Sequence, residues 1–252
     1  MKIAVAGSTG RIGRLAIKAL QGAGHEAVRI SRSDGIDLLT GDGLDAALAG
    51  AEAVVDCLNN PSQDEAEVVH FFGTTTRNLL AAEARAGVGH HVLLSIVGLD
   101  NGARSPHYAG KREQERLVTE GQVPWSIVRV TQFHDFAAMV TGWLEQDGAA
   151  TIAPLLVQPI DQLDVAAVLA EVAAGAPLRG KIDVAGPQPQ DLVDMARRSY
   201  AARGRPIRLI PTWHGAFDQS MAGDVMLPGE NARLGATSFE DWLAAGAPDS
   251  RG

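Results

Sequence analysis

The segment Gly7-Ser8-Thr9-Gly10-Arg11-Ile12-Gly13 carries the clearest chemistry in the chain. It joins a hydrophobic run, KIAVAG at 2–7, to an amphipathic one, RIGRLAIKALQG at 11–22. A phosphate approaches a backbone closely only where side chains are absent. The first turn of a helix adds N–H groups without partners and a positive dipole end. The spacing is GxxGxxG rather than the more familiar GxGxxG, but the strand–turn–helix setting is the one a dinucleotide pyrophosphate requires. The next apolar run, AVRIS at 27–31, leads into Ile30-Ser31-Arg32-Ser33. Sites for NAD place an acid near this point to hold the ribose 2′-hydroxyl. Here Arg32 stands between two serines, with Arg11 as a second cation, and guanidinium groups pair well with phosphate oxygens. These residues favour a 2′-phosphate, hence NADP(H) over NAD(H), while Asp34 leaves NAD open. Asp37 and Leu38 follow where the adenine should lie.

Other chemistries find less support. Ser8 and Thr9 are not nucleophiles, because no GxSxG turn surrounds them. His90-His91 open a strand with no third ligand at useful spacing and read as surface residues, so no metal is expected. The formal net charge of -8 argues against a broad nucleic-acid surface. The single cysteine, Cys57, lies in the apolar run AVVDCL and reads as buried; its isolation suits a reducing compartment. No run approaches the roughly 18–20 apolar residues of a membrane span. The chain enters a strand at once with no signal-peptide pattern, so a cytoplasmic location is expected.

The elements that must position these residues alternate. Strands are expected at 2–7, 27–31, 51–59, 90–98 and 124–133, and helices at 11–22, 43–50, 62–86 and 111–121. Such alternation implies a parallel sheet with helices on both faces, a doubly wound α/β Rossmann fold. Beyond about residue 133 the pattern weakens. Helices are expected at 135–145, 161–174, 190–203 and 239–244, with strands near Ile152, at KIDVAG and at 207–211. The whole chain, 1–252, reads as one domain, with roughly 134–252 forming a small α/β cap for the substrate. Trp125, Trp143, Trp213 and Trp242 read as packing residues, and Asp161 and Asp164 as helix caps.

GSTGRIG, LLSIVGLD (93–100), YAGKREQERLV (108–118), PWSIVRVTQFHDF (124–136) and LPGENARLGATSFEDWL (227–243) together resemble the atypical short-chain dehydrogenase/reductases, in particular the NmrA-like NAD(P)-binding subgroup. The resemblance covers nearly the whole chain. It implies that Leu58 and Asn59 lie near the cofactor ribose and that Ser95 matches the family's strand-end Ser or Thr. It also implies that Lys111 binds the nicotinamide ribose, with Gln132 and Phe133 near the nicotinamide and substrate. Active relatives carry Tyr-x-x-x-Lys, whose tyrosine exchanges a proton with the substrate. In this chain that position is His107, and Tyr108 lies only three residues before Lys111. Three readings stay open: Tyr108 serves as proton donor, His107 does, or neither acts.

Two functions follow as expectations. One is an NAD(P)H-dependent oxidoreductase acting on a small carbonyl or quinone-type acceptor, with Ser95, His107, Tyr108 and Lys111 as catalytic candidates. The other is a non-catalytic redox sensor that binds the oxidised and reduced cofactor unequally. A small-molecule substrate is the expected partner, with no nucleic acid and no membrane, in a monomer or homodimer.

Overall fold

The computed structural model describes residues 1–101, 105–214 and 217–247. The first half runs β1 (Lys2–Ala6), α1 (Arg11–Gly22), β2 (Glu26–Ile30), α2 (Leu44–Leu48), β3 (Ala53–Asp56), α3 (Glu65–Ala86), β4 (His90–Ile96), α4 (Pro106–Glu120) and β5 (Trp125–Val130). The second runs α5 (Phe136–Leu144), β6 (Glu145–Gln146), β7 (Ala149–Ile152), β8 (Leu156–Val157), α6 (Gln162–Ala174), β9 (Lys181–Ala185), β10 (Gln190–Asp191), α7 (Leu192–Ala202), β11 (Arg208–Pro211), β12 (Arg233–Leu234) and α8 (Phe239–Ala244). Seven strands form one sheet in the order β2-β1-β3-β4-β5-β9-β12. Pairing is parallel at β1–β2, β1–β3, β3–β4 and β9–β12. This is the doubly wound α/β fold that the alternation of strands and helices implies.

Strand composition follows burial. All four residues of β3 and the last four of β1 are buried, as expected for parallel strands covered on both faces. β2, at the edge, buries only Ile30. Strand order reverses between β1 and β3, and ligands of open parallel sheets bind at such a switch point, beyond the carboxyl ends of the strands. Helices α3 and α4 approach closely at Gly110, where an added Cβ would lie 2.4 Å from the Phe72 ring and 2.6 Å from Val68.

The chain divides into two compact units. One comprises Met1–Leu99, Arg104–Arg129 and Val165–Ile182; the other takes mainly Val130–Asp164 and Asp183–Gly252. The second unit contains a small sheet, β11-β7-β6, whose β6–β7 hairpin turns through Asp147 and Gly148, both at positive φ, the pattern of a tight I′ turn. It also holds an aromatic cluster of His134, Phe239 and Trp242, with centroids 5.7–5.8 Å apart.

Three expectations fail. His90 and His91 are buried, not on the surface. β4 lies in the middle of the sheet, so even its first residues are covered. The His90 ring bonds Ser126 at 2.8 Å, and His91 Nδ1 bonds the buried Glu83 carboxylate at 2.9 Å. Trp143 is 66 % exposed and packs little, because α5 buries Ala137, Ala138, Val140 and Thr141 on another face. Trp242 is buried, and Cys57 is buried as expected. Asp161 accepts the Leu163 N–H at 2.7 Å, whereas Asp164 accepts from Thr237 rather than capping α6. No helix among the described residues is long and apolar enough to cross a membrane, and no cluster among them could hold a metal ion.

Candidate active site

The turn from β1 into α1 is built by close backbone contacts. Gly7 has φ +73° and stands against the end of β3, where an added Cβ would lie 3.0 Å from the Cys57 carbonyl oxygen. An added Cβ at Gly13 would lie 2.2 Å from the Gly7 oxygen, so only glycine fits there. Gly10 caps α1 without a side chain, and the first turn of α1 contains no acid. The helix N-terminus therefore keeps its dipole uncompensated by any side chain, as an anion site requires. The Ser8 hydroxyl is fully buried in this turn and has no hydrogen-bond partner. The residues present fit a dinucleotide pyrophosphate. Thr9 offers its carbonyl to Arg14 Nη1 at 2.9 Å, and Arg11 and Ile12 open the helix.

At the end of β2, residues Arg32–Asp34 form a single 3-10 turn. Arg32 is exposed, and among the described residues no carboxylate pairs with it. Asp37 turns back on itself, its carboxylate accepting the Leu39 N–H at 2.8 Å. Leu38 is buried in the core beside Ile36, and its carbonyl accepts from Asn78 at 2.9 Å.

At the start of α4, Ser105 caps the helix and Pro106 opens it, so His107 and Tyr108 occupy its first turn. Lys111 is almost fully buried. Its ammonium donates to the carbonyls of Leu58 (3.2 Å) and Leu94 (2.9 Å) and to Gln114 Oε1 (2.8 Å). Gln114 in turn donates to Asp56 at 2.8 Å, and Asp56 accepts the Leu58 N–H. Lys111 thus ties together the ends of β3 and β4. Burial pushes its pKa down to about 8, against the pull of Asp56, Cys57 and Glu115. Its ammonium lies 4.8 Å from the centre of the Phe72 ring, which meets the His107 ring edge-on at 6.1 Å. Burial, helped by the Lys111 charge, pushes His107 down to about 4. Burial raises Tyr108 to about 12, and its hydroxyl donates to the Val97 carbonyl at 3.4 Å. Ser95 is buried and donates to Glu115 at 2.6 Å. Glu115 also accepts from Arg129 at 2.7 and 2.8 Å and from Lys181 at 2.7 Å. Burial raises its pKa, but those hydrogen bonds win and hold it below the usual carboxylate range.

Asn59 is exposed just beyond the Lys111 anchor. Gln132 and Phe133 belong to the second unit. There Gln132 accepts the Ile160 N–H through its backbone carbonyl at 2.8 Å, while its side-chain oxygen is buried without a partner. Sequence reasoning missed Asp56, Gln114, Glu115, Arg129 and Lys181. Asp56 carried one signal, a charge inside the apolar run AVVDCL; Gln114 is one helical turn from Lys111.

The model of a family described as NAD(P)H-binding matches residues 7–175. A (4-alkanoyl-5-oxo-2,5-dihydrofuran-3-yl)methyl phosphate reductase of Streptomyces griseus is 28% identical over 225 residues, covering 82% of this chain and 75% of that protein. The solved dTDP-4-dehydrorhamnose reductase of Bacillus anthracis in complex with NADP superposes with a TM-score of 0.76 at 14% identity, covering 97% of each chain. The NADPH-dependent quinone oxidoreductase of Escherichia coli complexed with NADPH gives a TM-score of 0.68 at 18% identity, over 83% of this chain and 78% of that one.

Proposed function

This chain belongs to the NAD(P)H-binding family, and from that premise we propose that it is an NADP(H)-dependent reductase of small acceptors that need no proton from the protein. The observation that carries this reading is the state of the polar groups at the start of α4. A useful general acid has a pKa near the working pH. Tyr108, at about 12, gives up its proton too reluctantly, and His107, at about 4, stands as neutral imidazole rather than the acidic imidazolium at neutral pH. Lys111 has protons, but its ammonium is directed to two carbonyls and an amide of its own chain.

Bound NADPH supplies a hydride from its nicotinamide ring. The glycine turn Gly7–Gly13 holds the pyrophosphate, and Arg32, aided by Arg11, takes the 2′-phosphate. Asp37 and Leu38 border the adenine. Lys111 fixes the ends of β3 and β4, so that Leu58 and Asn59 present their backbone to the nicotinamide ribose, and Ser95 stays anchored to Glu115. With no side-chain acid at hand, the favoured acceptors spread the incoming negative charge themselves and take a proton from water. Quinones and conjugated carbonyl compounds do so; simple ketones do not. The Streptomyces relative is named for a substrate with a 5-oxo-2,5-dihydrofuran ring bearing an alkanoyl group, and the Escherichia coli neighbour for a quinone. Both names agree with this class.

The test is a panel of acceptors offered with NADPH to the purified protein. Turnover of quinones or conjugated enones, with simple ketones inert, supports the reading. Turnover of simple ketones as fast as quinones would refute it. The same lack of a ready side-chain acid favours one second reading, a sensor that binds NADPH and NADP+ unequally and turns nothing over. Cofactor binding with no acceptor reduced would establish that instead.

A further inference from the structure

The turn that follows β2 contains one carboxylate, Asp34, and that carboxylate is bonded within its own chain. The 3-10 turn folds it back on Ser31: Asp34 N–H donates to the Ser31 carbonyl at 3.0 Å, and the Ser31 hydroxyl donates to Asp34 Oδ2. Ser31 has one hydroxyl proton, given to Asp34, so in its 2.8 Å contact with Ser33 it is Ser33 that donates. From the edge strand, Arg29 Nε lies 3.5 Å from the same Asp34 oxygen. Gly35 closes the turn at φ +79°, and Ile36 N–H returns to the Ser31 carbonyl at 3.1 Å. Two side chains thus hold one carboxylate in a turn that the backbone closes, while Arg32 of the same turn has no carboxylate partner among the described residues.

We infer that Arg29 and Ser31 latch Asp34 away from the ribose and so set the choice of NADP(H) over NAD(H). A free carboxylate in this turn would do two things. It would accept the 2′-hydroxyl of NADH, as acids at this strand end do, and it would repel the 2′-phosphate of NADPH. Arg29 neutralises it and Ser31 fixes its direction, leaving Arg32 as the uncompensated charge of the turn. Arg29 is therefore a specificity-determining residue that acts through Asp34 without itself holding the cofactor. The inference rests on the NADP(H) reading above.

The experiment is a double-mutant cycle on cofactor binding, with Kd for NADPH and NADH measured by tryptophan fluorescence or calorimetry. Arg29→Gln should lower the NADPH:NADH preference about tenfold, the scale of one carboxylate beside a phosphate at the protein surface. Asp34→Asn should preserve or raise that preference. Arg29→Gln made in the Asp34→Asn background should then change it little, because the group it restrained is gone. If Arg29→Gln weakens NADPH equally in both backgrounds, Arg29 is a second phosphate ligand and the latch is overturned. An unchanged ratio in the single variant overturns it too. A wild-type protein that binds NADH more tightly than NADPH overturns the NADP(H) reading itself, which Arg32→Ala tests separately through loss of NADPH affinity alone.

Discussion

The two ends of the first unit that frame the sheet's carboxyl edge are built on opposite plans. Around the β1–α1 turn, the chain leaves room for an anion. No side chain caps α1, no acid compensates its dipole, and the Ser8 hydroxyl is buried and unbonded. Around the start of α4, three of the four catalytic candidates are already hydrogen-bonded within the chain. Lys111 meets three oxygens, Ser95 meets Glu115, and Tyr108 meets Val97. A buried donor without a partner costs free energy comparable to a lost hydrogen bond, so it persists where a ligand completes it. The difference separates a region shaped to receive something from one shaped to stay as it is. The contrast agrees with the proposal that a dinucleotide enters at the glycine turn and that the acceptor draws its proton from water.

The comparison breaks first at Gly13. Gly13→Ala puts a methyl 2.2 Å from the Gly7 oxygen, and the turn must move. Titration should show NADPH binding weakened at least about a hundredfold, equivalent to about 2.7 kcal/mol, with circular dichroism reporting whether the fold survives. Retained affinity would show that the turn is a plain connection.

The largest effect on stability belongs to Glu115, at the self-satisfied end. Glu115→Ala leaves the buried Arg129 guanidinium without its carboxylate, a change expected to cost about 3–5 kcal/mol in urea or thermal unfolding. The pH dependence has a definite sign. The folded state holds this carboxyl below its ordinary range, so its contribution is complete above the unfolded pKa and is lost as pH falls through the folded one. The variant should therefore lose less stability on acidification than the wild type.

Lys111 ranks third. Lys111→Met removes the donor to two half-buried carbonyls of β4 and the chain beyond β3 and should cost about 1–3 kcal/mol. Its folded pKa, about 8, lies below the ordinary 10.5. The unfolded chain then binds more protons between these values, and wild-type stability should rise with pH across that window. The variant should lack that rise. A wild-type profile that falls instead would show that the ammonium is held charged by its three acceptors.

Much of the fold was legible because long runs with one period decide it. The buried runs IAVA and AVVD and the helix of 65–86 needed only composition and spacing. The two-residue strands β6, β8, β10 and β12 carry no period and were not legible. At the site, the glycine turn could be read because its requirement is local: a Cβ either fits or it does not. The network of Asp56, Gln114, Glu115, Arg129 and Lys181 could not, because its members come from β3, α4, β5 and β9 and meet only once the sheet forms. His90 and His91 misled for the same reason, since two adjacent imidazoles look exposed until their strand takes its place mid-sheet.

The smallest expected effect is also the sharpest test of the comparison. The Tyr108 hydroxyl donates to the Val97 carbonyl across a long 3.4 Å, and burial keeps it protonated far above neutral pH. Tyr108→Phe keeps the ring, loses that bond, and should cost no more than about 1 kcal/mol of stability. If the proton comes from water, the rate of NADPH oxidation with a quinone should change less than about twofold, and the pH–rate profile should keep its shape. A fall of about a hundredfold or more would mean that the hydroxyl leaves Val97 when the cofactor binds and that the pKa drops toward neutrality. The start of α4 would then be a second region shaped to receive a ligand, and the contrast with the glycine turn would belong to the cofactor-free chain alone.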